Sequence, residues 1–309
     1  MPRLLRFNRR FIYIDVVLIL VILLSIPMLA ARTQAPQNIY LPVSLRDSPS
    51  TANIYGQVYS ATDPTFVFPN VPVCIKDTSF CDTSDSAGNY RIDSIPSGAV
   101  ILVATAPLSS LYNNFERVVQ IEPGVDNHID IPLSPVIEAQ GEYRIVLTWK
   151  SRIDGQSVDL DANFWLPPGD DAYHVTKFAI DCYEPGRTGT GFFDSWPFAV
   201  IDVDSVDGSR PETISIHELQ PGISTYAVRH VGMASRRPTD PWPPPLTATG
   251  ATVEIYGSEG LVATFTVPQS GDYQAIWWKL FAISDNGDIE IFNTLGSDFP
   301  VGDYVCLFQ

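Results

Sequence analysis

The segment "IDVDSVDGSRPETISI", residues 201 to 216, gathers Asp202, Asp204, Asp207 and Glu212 around a glycine and then enters an alternating apolar run. Carboxylates at this density suit a hard divalent cation, and calcium in particular takes oxygen ligands. The helix-loop-helix calcium motif does not fit. It needs oxygens at its first, third and fifth positions, glycine at the sixth and glutamate at the twelfth. Counted from Asp202, the last three of those places hold Val206, Asp207 and Thr213. A looser set remains: Asp159 and Asp161 alternate in "SVDLDANFW" and so face one side of a strand. There they can meet Asp202 or Asp204 from a neighbouring strand. Asp159, Asp161, Asp202 and Asp204 are therefore the expected calcium ligands. The competing reading is that these acids accept backbone N–H bonds in turns and are otherwise solvated. Crowded carboxylates repel unless a cation, an arginine such as Arg210, or water separates them.

Other chemistry has less to stand on. "HELQP", from His217, begins like a zinc-protease helix but has Pro221 where the second histidine must stand. His128, His174 and His230 are scattered, and there is no GxSxG elbow, SxxK pair or phosphate-binding glycine loop. No catalysis and no cofactor other than calcium are expected. Among the aromatics, Trp149 and one of the neighbours Trp277 and Trp278 should enter a core, since adjacent strand residues face opposite ways. Trp242, inside "PTDPWPPPL", is the expected exposed aromatic and a candidate contact for a protein or carbohydrate partner outside the cell. The plainer reading of that stretch is a rigid loop over a sheet edge.

The elements that must position these side chains are strands. The chain has 26 Pro and 20 Gly among 309 residues and only 17% charged residues, and it breaks into short alternating runs separated by turn residues. The expected fold class is all-β: two antiparallel β-sandwich domains preceded by one N-terminal transmembrane helix. The expected boundaries are a basic tail at 1–10, a membrane anchor or signal at 11–31, a Pro- and Ser-containing linker at 32–50, and sandwiches at 51–135 and 140–309.

"FIYIDVVLILVILLSIPMLAA", residues 11 to 31, is long enough at about 1.5 Å per residue to cross a bilayer core. Arg3, Arg6, Arg9 and Arg10 precede it, which places the N-terminus in the cytoplasm and the body outside. Two readings stand: an uncleaved single-pass anchor in the cell membrane, or a cleaved signal that leaves a secreted body. No cysteine lies near the segment to carry a lipid. The net charge of −16 opposes binding to phosphate backbones, so no nucleic-acid partner is expected. In an exported chain Cys74, Cys81, Cys182 and Cys306 read as disulfide cysteines. Cys74 and Cys81 flank a hairpin bend in "VCIKDTSFC" and should pair, which leaves the pairing of Cys182 with Cys306 open.

Two resemblances add to this. "IYGQVY", "NVPVCI", "TSDSAGNYRIDSIPSG" and "AVILVATAP", over about residues 52–134, resemble carboxypeptidase regulatory-like and Cna B-type domains. The Asp85, Gly88, Asn89, Tyr90 turn carries most of that likeness. Only Lys76 is present for an isopeptide staple, so none is expected. "RIVLTW", "DLDANFWLP", "DVDSVDGSRPETI" and "WWKLFAISDNGDIE", over about residues 141–296, resemble the YfaP-type domain of unknown function. The first resemblance implies an accessory sandwich, and the second a fold with no assigned reaction.

The resulting expectation is a membrane-tethered or secreted bacterial surface protein with a structural, adhesion or binding role. Its alternatives are a calcium-dependent carbohydrate or peptide binder, and an accessory subunit of a larger membrane complex. Protease added to intact spheroplasts should remove the body after residue 32, and survival of the full-length chain would overturn the topology.

Overall fold

The computed structural model describes residues 51–168, 173–177, 188–298 and 300. The expected tail, membrane segment and linker (1–50), and also Cys182 and Cys306, lie outside the described residues. Among the described residues no helix is long and apolar enough to cross a membrane.

The first eight strands are β1 (Thr51–Ser60), β2 (Pro72–Ile75), β3 (Cys81–Thr83), β4 (Asn89–Pro96), β5 (Gly98–Ala104), β6 (Phe115–Ile121), β7 (Asp126–His128) and β8 (Ile131–Leu133). They make two facing sheets, β3-β2-β5-β6 and β4-β1-β7, with β8 also on β1. The core between them holds Ile54, Val58, Tyr90, Ile92, Leu102, Phe115, Val119 and Ile131. The Asp85 carboxylate accepts the N–H groups of Ala87 and Asn89, which closes the hairpin that returns Tyr90 to this core. Gly56 has no substitute, because a Cβ there would lie 2.0 Å from the Ile129 carbonyl. Cys74 and Cys81 face each other across β2 and β3 with Cα atoms 4.1 Å apart and form the expected disulfide.

The second body contains β9 (Tyr143–Thr148), β10 (Arg152–Ile153), β11 (Gln156–Ser157), β12 (Leu160–Trp165), β13 (His174–Val175), β14 (Thr188–Gly189) and β15 (Gly191–Phe192). It continues with β16 (Ala199–Val203), β17 (Glu212–Ile216), β18 (Ile223–His230), β19 (Thr252–Gly257), β20 (Gly260–Thr266), β21 (Trp277–Ser284) and β22 (Ile289–Gly296). The sheets are β14-β13-β12-β18-β21-β22 and β15-β16-β17-β9-β19-β20, with β10-β11 a separate hairpin. Leu147, Trp149, Phe164, Ile214, Tyr226, Trp278 and Phe281 fill the space between them. Trp277 points the other way and is also covered, edge-on to Trp165 at 5.7 Å. The all-β expectation therefore holds, with almost no helix. Strict antiparallel pairing does not: β7 and β8 run parallel to β1, and β14 runs parallel to β13. For β7 and β8 the cause is connectivity, since the chain reaches them by crossing from β6 in the opposite sheet.

The described strands belong to one compact unit. β17 and β19 lose polar-apolar alternation in burial, because one face lies on the second core and the other against the first sandwich. On that outer face Val146 and Tyr256 cluster with Ala61 and Ile137. Thr213 Oγ1 donates to the Ala61 carbonyl at 2.7 Å. Arg117 sits on the inward row of β6, reaches across to Glu254 Oε1 at 2.9 Å and donates also to Thr148 Oγ1. Tyr256 Oη donates to the second oxygen of Glu254 at 3.0 Å. The Arg117 and Glu254 side chains are 8% and 0% exposed.

Removing one member of such a pair leaves a buried charge without its partner. Arg117→Met should therefore cost about 3–5 kcal/mol in chemical denaturation, and Arg117→Met with Glu254→Leu considerably less. A single-variant cost under about 1 kcal/mol would place the pair in the class of solvated surface bridges.

Candidate functional site

Period-two alternation on β12 puts Asp161 on the same side as Asp159, just before the strand, and Leu160 and Ala162 on the core side. Beyond its short pairing with β13 at Phe164 and Trp165, the edge of β12 is left to meet the opposite sheet. Glu212 comes from that sheet. It starts β17 on the same row as the core residues Ile214 and Ile216 and is fully buried. Its Oε2 accepts the Ala162 N–H at 3.0 Å, which ties the first residue of β17 to β12. Asp204 follows the end of β16 and completes the group.

One carboxylate oxygen each from Asp161, Asp204 and Glu212 lie within 4.8 Å of one another. Asp161 Oδ2, Glu212 Oε1 and Asp159 Oδ1 are buried and accept no hydrogen bond among the described residues. Asp161 is 2% exposed. Lys177 Nζ approaches Asp204 Oδ2 at 3.4 Å from a largely exposed position. Arg229 lies opposite Asp161 in the β12–β18 register.

Burial, followed by repulsion from Asp204, raises the Asp159 carboxyl to about 6. Burial, followed by repulsion from Asp159, raises Asp161 to about 7. Glu212 is pushed well above the usual carboxylate range, first by burial and then by Asp161. Each shift has the same cause: the ionised form has lost water and gained like charges, and at Asp159 and Asp161 the opposing pull of Arg229 is smaller than these effects.

The turn that follows Asp204 is held by packing. Gly208 has φ of +70° and lies against the Trp149 indole, where a Cβ would come within 2.6 Å of Nε1. That indole N–H donates to the Val158 carbonyl at 2.8 Å, directly before Asp159. Asp207 accepts the Ser209 N–H at 3.0 Å, so it is a turn-capping acid.

Two of the four carboxylates expected from the sequence, Asp161 and Asp204, thus converge with Glu212. Asp159 stands outside that group, close enough to raise the proton affinity of Asp161, and Asp202 is not part of it. Its Oδ2 accepts the Ser215 hydroxyl on the outer face of the sheet, near Arg144. The β16–β17 register shifts between Ile201 and Val203, so counting in twos from Asp202 to Asp204 fails across the bulge. Glu212 takes the place assigned to Asp202. The signal for it was present: Glu212, Ile214 and Ile216 form one inward row.

The remaining sequence candidates lie elsewhere. Trp242 is 43% exposed, and the Arg236 guanidinium covers one face of its ring at 3.7 Å from the centroid. His217 Nδ1 lies 2.9 Å from Glu142, and His174 stacks on Trp165. His230 Nε2 donates to the Pro244 carbonyl while its Nδ1 caps the short helix Val231–Ala234. These histidines share no common centre.

Oxygens around one calcium at about 2.3–2.6 Å are at most about 5 Å apart, and the Asp161, Asp204 and Glu212 group meets that limit. The donor set contains no nitrogen or sulfur, which suits calcium or magnesium rather than zinc or copper.

No protein-family model and no curated protein matches the chain. Among solved structures it is similar to a protein of unknown function at 14% identity, over 53% of this chain and 92% of that one, with a TM-score of 0.35. A homologue of the telluride resistance protein TerD from Streptomyces coelicolor A3(2) aligns at 14% identity over 51% of this chain and 89% of its own, with a TM-score of 0.34. A type II cohesin–X-dockerin complex from Acetivibrio cellulolyticus aligns at 18% identity over 27% of this chain, with a TM-score of 0.22, and the chain spans just 56% of that relative. Likenesses this loose carry no argument about activity. The finer resemblance to regulatory-like, Cna B-type and YfaP-type domains has no matching family model behind it, and the β-sandwich architecture is what stands.

Proposed function

We propose that the chain is a non-catalytic binding module displayed outside the cell, held at the membrane through residues 11–31, and that its second sandwich takes a calcium ion on Asp161, Asp204 and Glu212, with Asp159 beside them. The observation that supports the cation is the set of buried carboxylate oxygens without a donor, drawn from both sheets of one sandwich. A buried carboxylate without a partner costs several kcal/mol, and a divalent cation removes that cost for several oxygens at once. The ion would join β12 to the start of β17 and fix the turn between Asp204 and Glu212. In this reading the metal is structural: it sets the shape of a binding surface and activates no water.

Calorimetric titration of the full-length protein with calcium should give a saturable isotherm. The melting temperature should rise, with about 2.7 kcal/mol of stabilisation at a hundredfold excess over Kd. Glu212→Gln and Asp161→Asn should each abolish most of this while keeping the shape of the side chain. No calcium heat and no thermal shift would overturn the reading.

The proton balance gives a second check. The folded protein keeps protons on Asp159 and Asp161 to about pH 6 and 7, whereas the unfolded chain releases them near 4. In chelator, the stability these two groups contribute is fully present below about pH 4, falls progressively as pH rises, and is lost above about pH 7. Calcium needs the ionised carboxylates, so its stabilising effect should grow across the same window. A thermal shift by calcium that is the same at about pH 5 and about pH 8 would contradict the assignment of these groups.

A further inference from the structure

The two sandwiches meet at a cleft of about 410 Å³ walled by Tyr55, Gln57, Asn89, His128, Asp130 and Arg210. The volume falls inside the range of about 300–1,000 Å³ usual for small-ligand sites. One wall is an aromatic pair: the Tyr55 and His128 rings lie 4.9 Å apart, tilted by 31° to each other, and both side chains are partly open to solvent. Beside it the polar groups are already oriented. Asp130 Oδ1 accepts the Gln57 N–H at 2.7 Å and lies 3.2 Å from His128 Nε2. Arg210 Nη1 donates to Gln57 Oε1 at 2.9 Å, and its guanidinium rests over the buried Tyr59 ring. Tyr90 closes the floor by donating its hydroxyl to the Ile129 carbonyl.

We infer that this cleft is a binding site for a neutral saccharide unit. A sugar ring offers hydroxyls that both donate and accept, plus an apolar C–H face. The cleft offers an acceptor in Asp130 next to donors in Arg210 and Ser209, and partly exposed ring surface of the tilted Tyr55 and His128 pair for the C–H face. A phosphate or carboxylate ligand would confront Asp130 and the acidic body as a whole. A cationic ligand would confront Arg210. A strand-adding peptide has no edge to join, because β1 is paired on both sides here by β4 and β7.

Arg210 and Ser209 lie on the turn bracketed by Asp204 and Glu212, so the cation site and the cleft share one segment. The saccharide site nevertheless stands on its own residues, and the test separates the two. Full-length protein in a detergent without a sugar headgroup is titrated with cellotetraose, maltotetraose and triacetylchitotriose, once in calcium and once in chelator. At least one of these should give a saturable isotherm with Kd of about 1 mM or tighter. Tyr55→Ala removes an exposed side chain, and Asp130→Asn keeps an acceptor for the Gln57 N–H. Either variant, with its melting temperature unchanged, should weaken binding at least tenfold. No saccharide isotherm in either buffer, or equal binding by both variants, overturns the proposal. Calcium heat without saccharide heat overturns this proposal alone, and saccharide heat without calcium heat overturns the cation reading alone.

Discussion

The structure depends on one sheet being covered on both faces. β9, β17 and β19 form its centre, with the second core on one side and the first sandwich on the other. Two-sided burial is what allows charged groups to be lost from water here, and each such loss must be compensated by geometry. On the outer face both carboxylate oxygens of Glu254 are compensated, while Arg117 Nη2 is buried without a partner among the described residues. Glu254 accepts from Arg117 and from Tyr256, and Arg117 spends a second nitrogen on Thr148. The pair contributes orientation between the sandwiches more than net stability, since a buried ion pair roughly breaks even against apolar packing.

The inner end of the same sheet lacks that compensation. Glu212 is as deeply buried as Glu254, yet a backbone N–H takes one of its oxygens and nothing takes the other. Asp161 and Asp159 add further unpartnered oxygens beside it. Among the described residues Arg117 ion-pairs with one buried carboxylate, whereas the group around Glu212 has Arg229 across from Asp161 and Lys177 at Asp204, and Glu212 Oε1 accepts from none of them. This contrast is what supports the proposed cation. Fully protonated carboxyls would also remove the charge, but they would still leave buried acceptors unsatisfied.

Much of this was readable in residue order, for stated reasons. Strand alternation puts Asp159 and Asp161 on one side of β12, of which Asp161 joins the carboxylate group; turn chemistry gives the Asp85 hairpin, and the Cys74 and Cys81 spacing gives the disulfide. Asp202 stands apart because a bulge at its position leaves its carboxylate on the Ser215 hydroxyl, on the outer face of the sheet. Glu212 was weighed against a helical calcium loop when its own strand parity would have placed it inward. Arg117 carried the same kind of signal, a charge on the apolar row of "FERVVQI". The cleft was not readable, because Tyr55, Asp130 and Arg210 come together only when two sandwiches with separate local patterns pack.

Lys177 decides how the carboxylate cluster is to be understood. Its ammonium is 3.4 Å from Asp204, the least buried of the converging acids, and its side chain is 45% exposed. An exposed lysine at that distance is worth at most about 1 kcal/mol and touches one carboxylate. It cannot offset the loss of hydration at Asp161 and Glu212, which sit deeper and show raised proton affinity in spite of it. Its position at the rim suits a different part in the proposed calcium site: an exposed single charge beside Asp204 that a divalent ion, with twice the charge and several coordination places, would displace from that oxygen. Because Asp204 and Glu212 bracket the turn carrying Ser209 and Arg210, that exchange would be felt at the junction between the sandwiches as well as inside one of them.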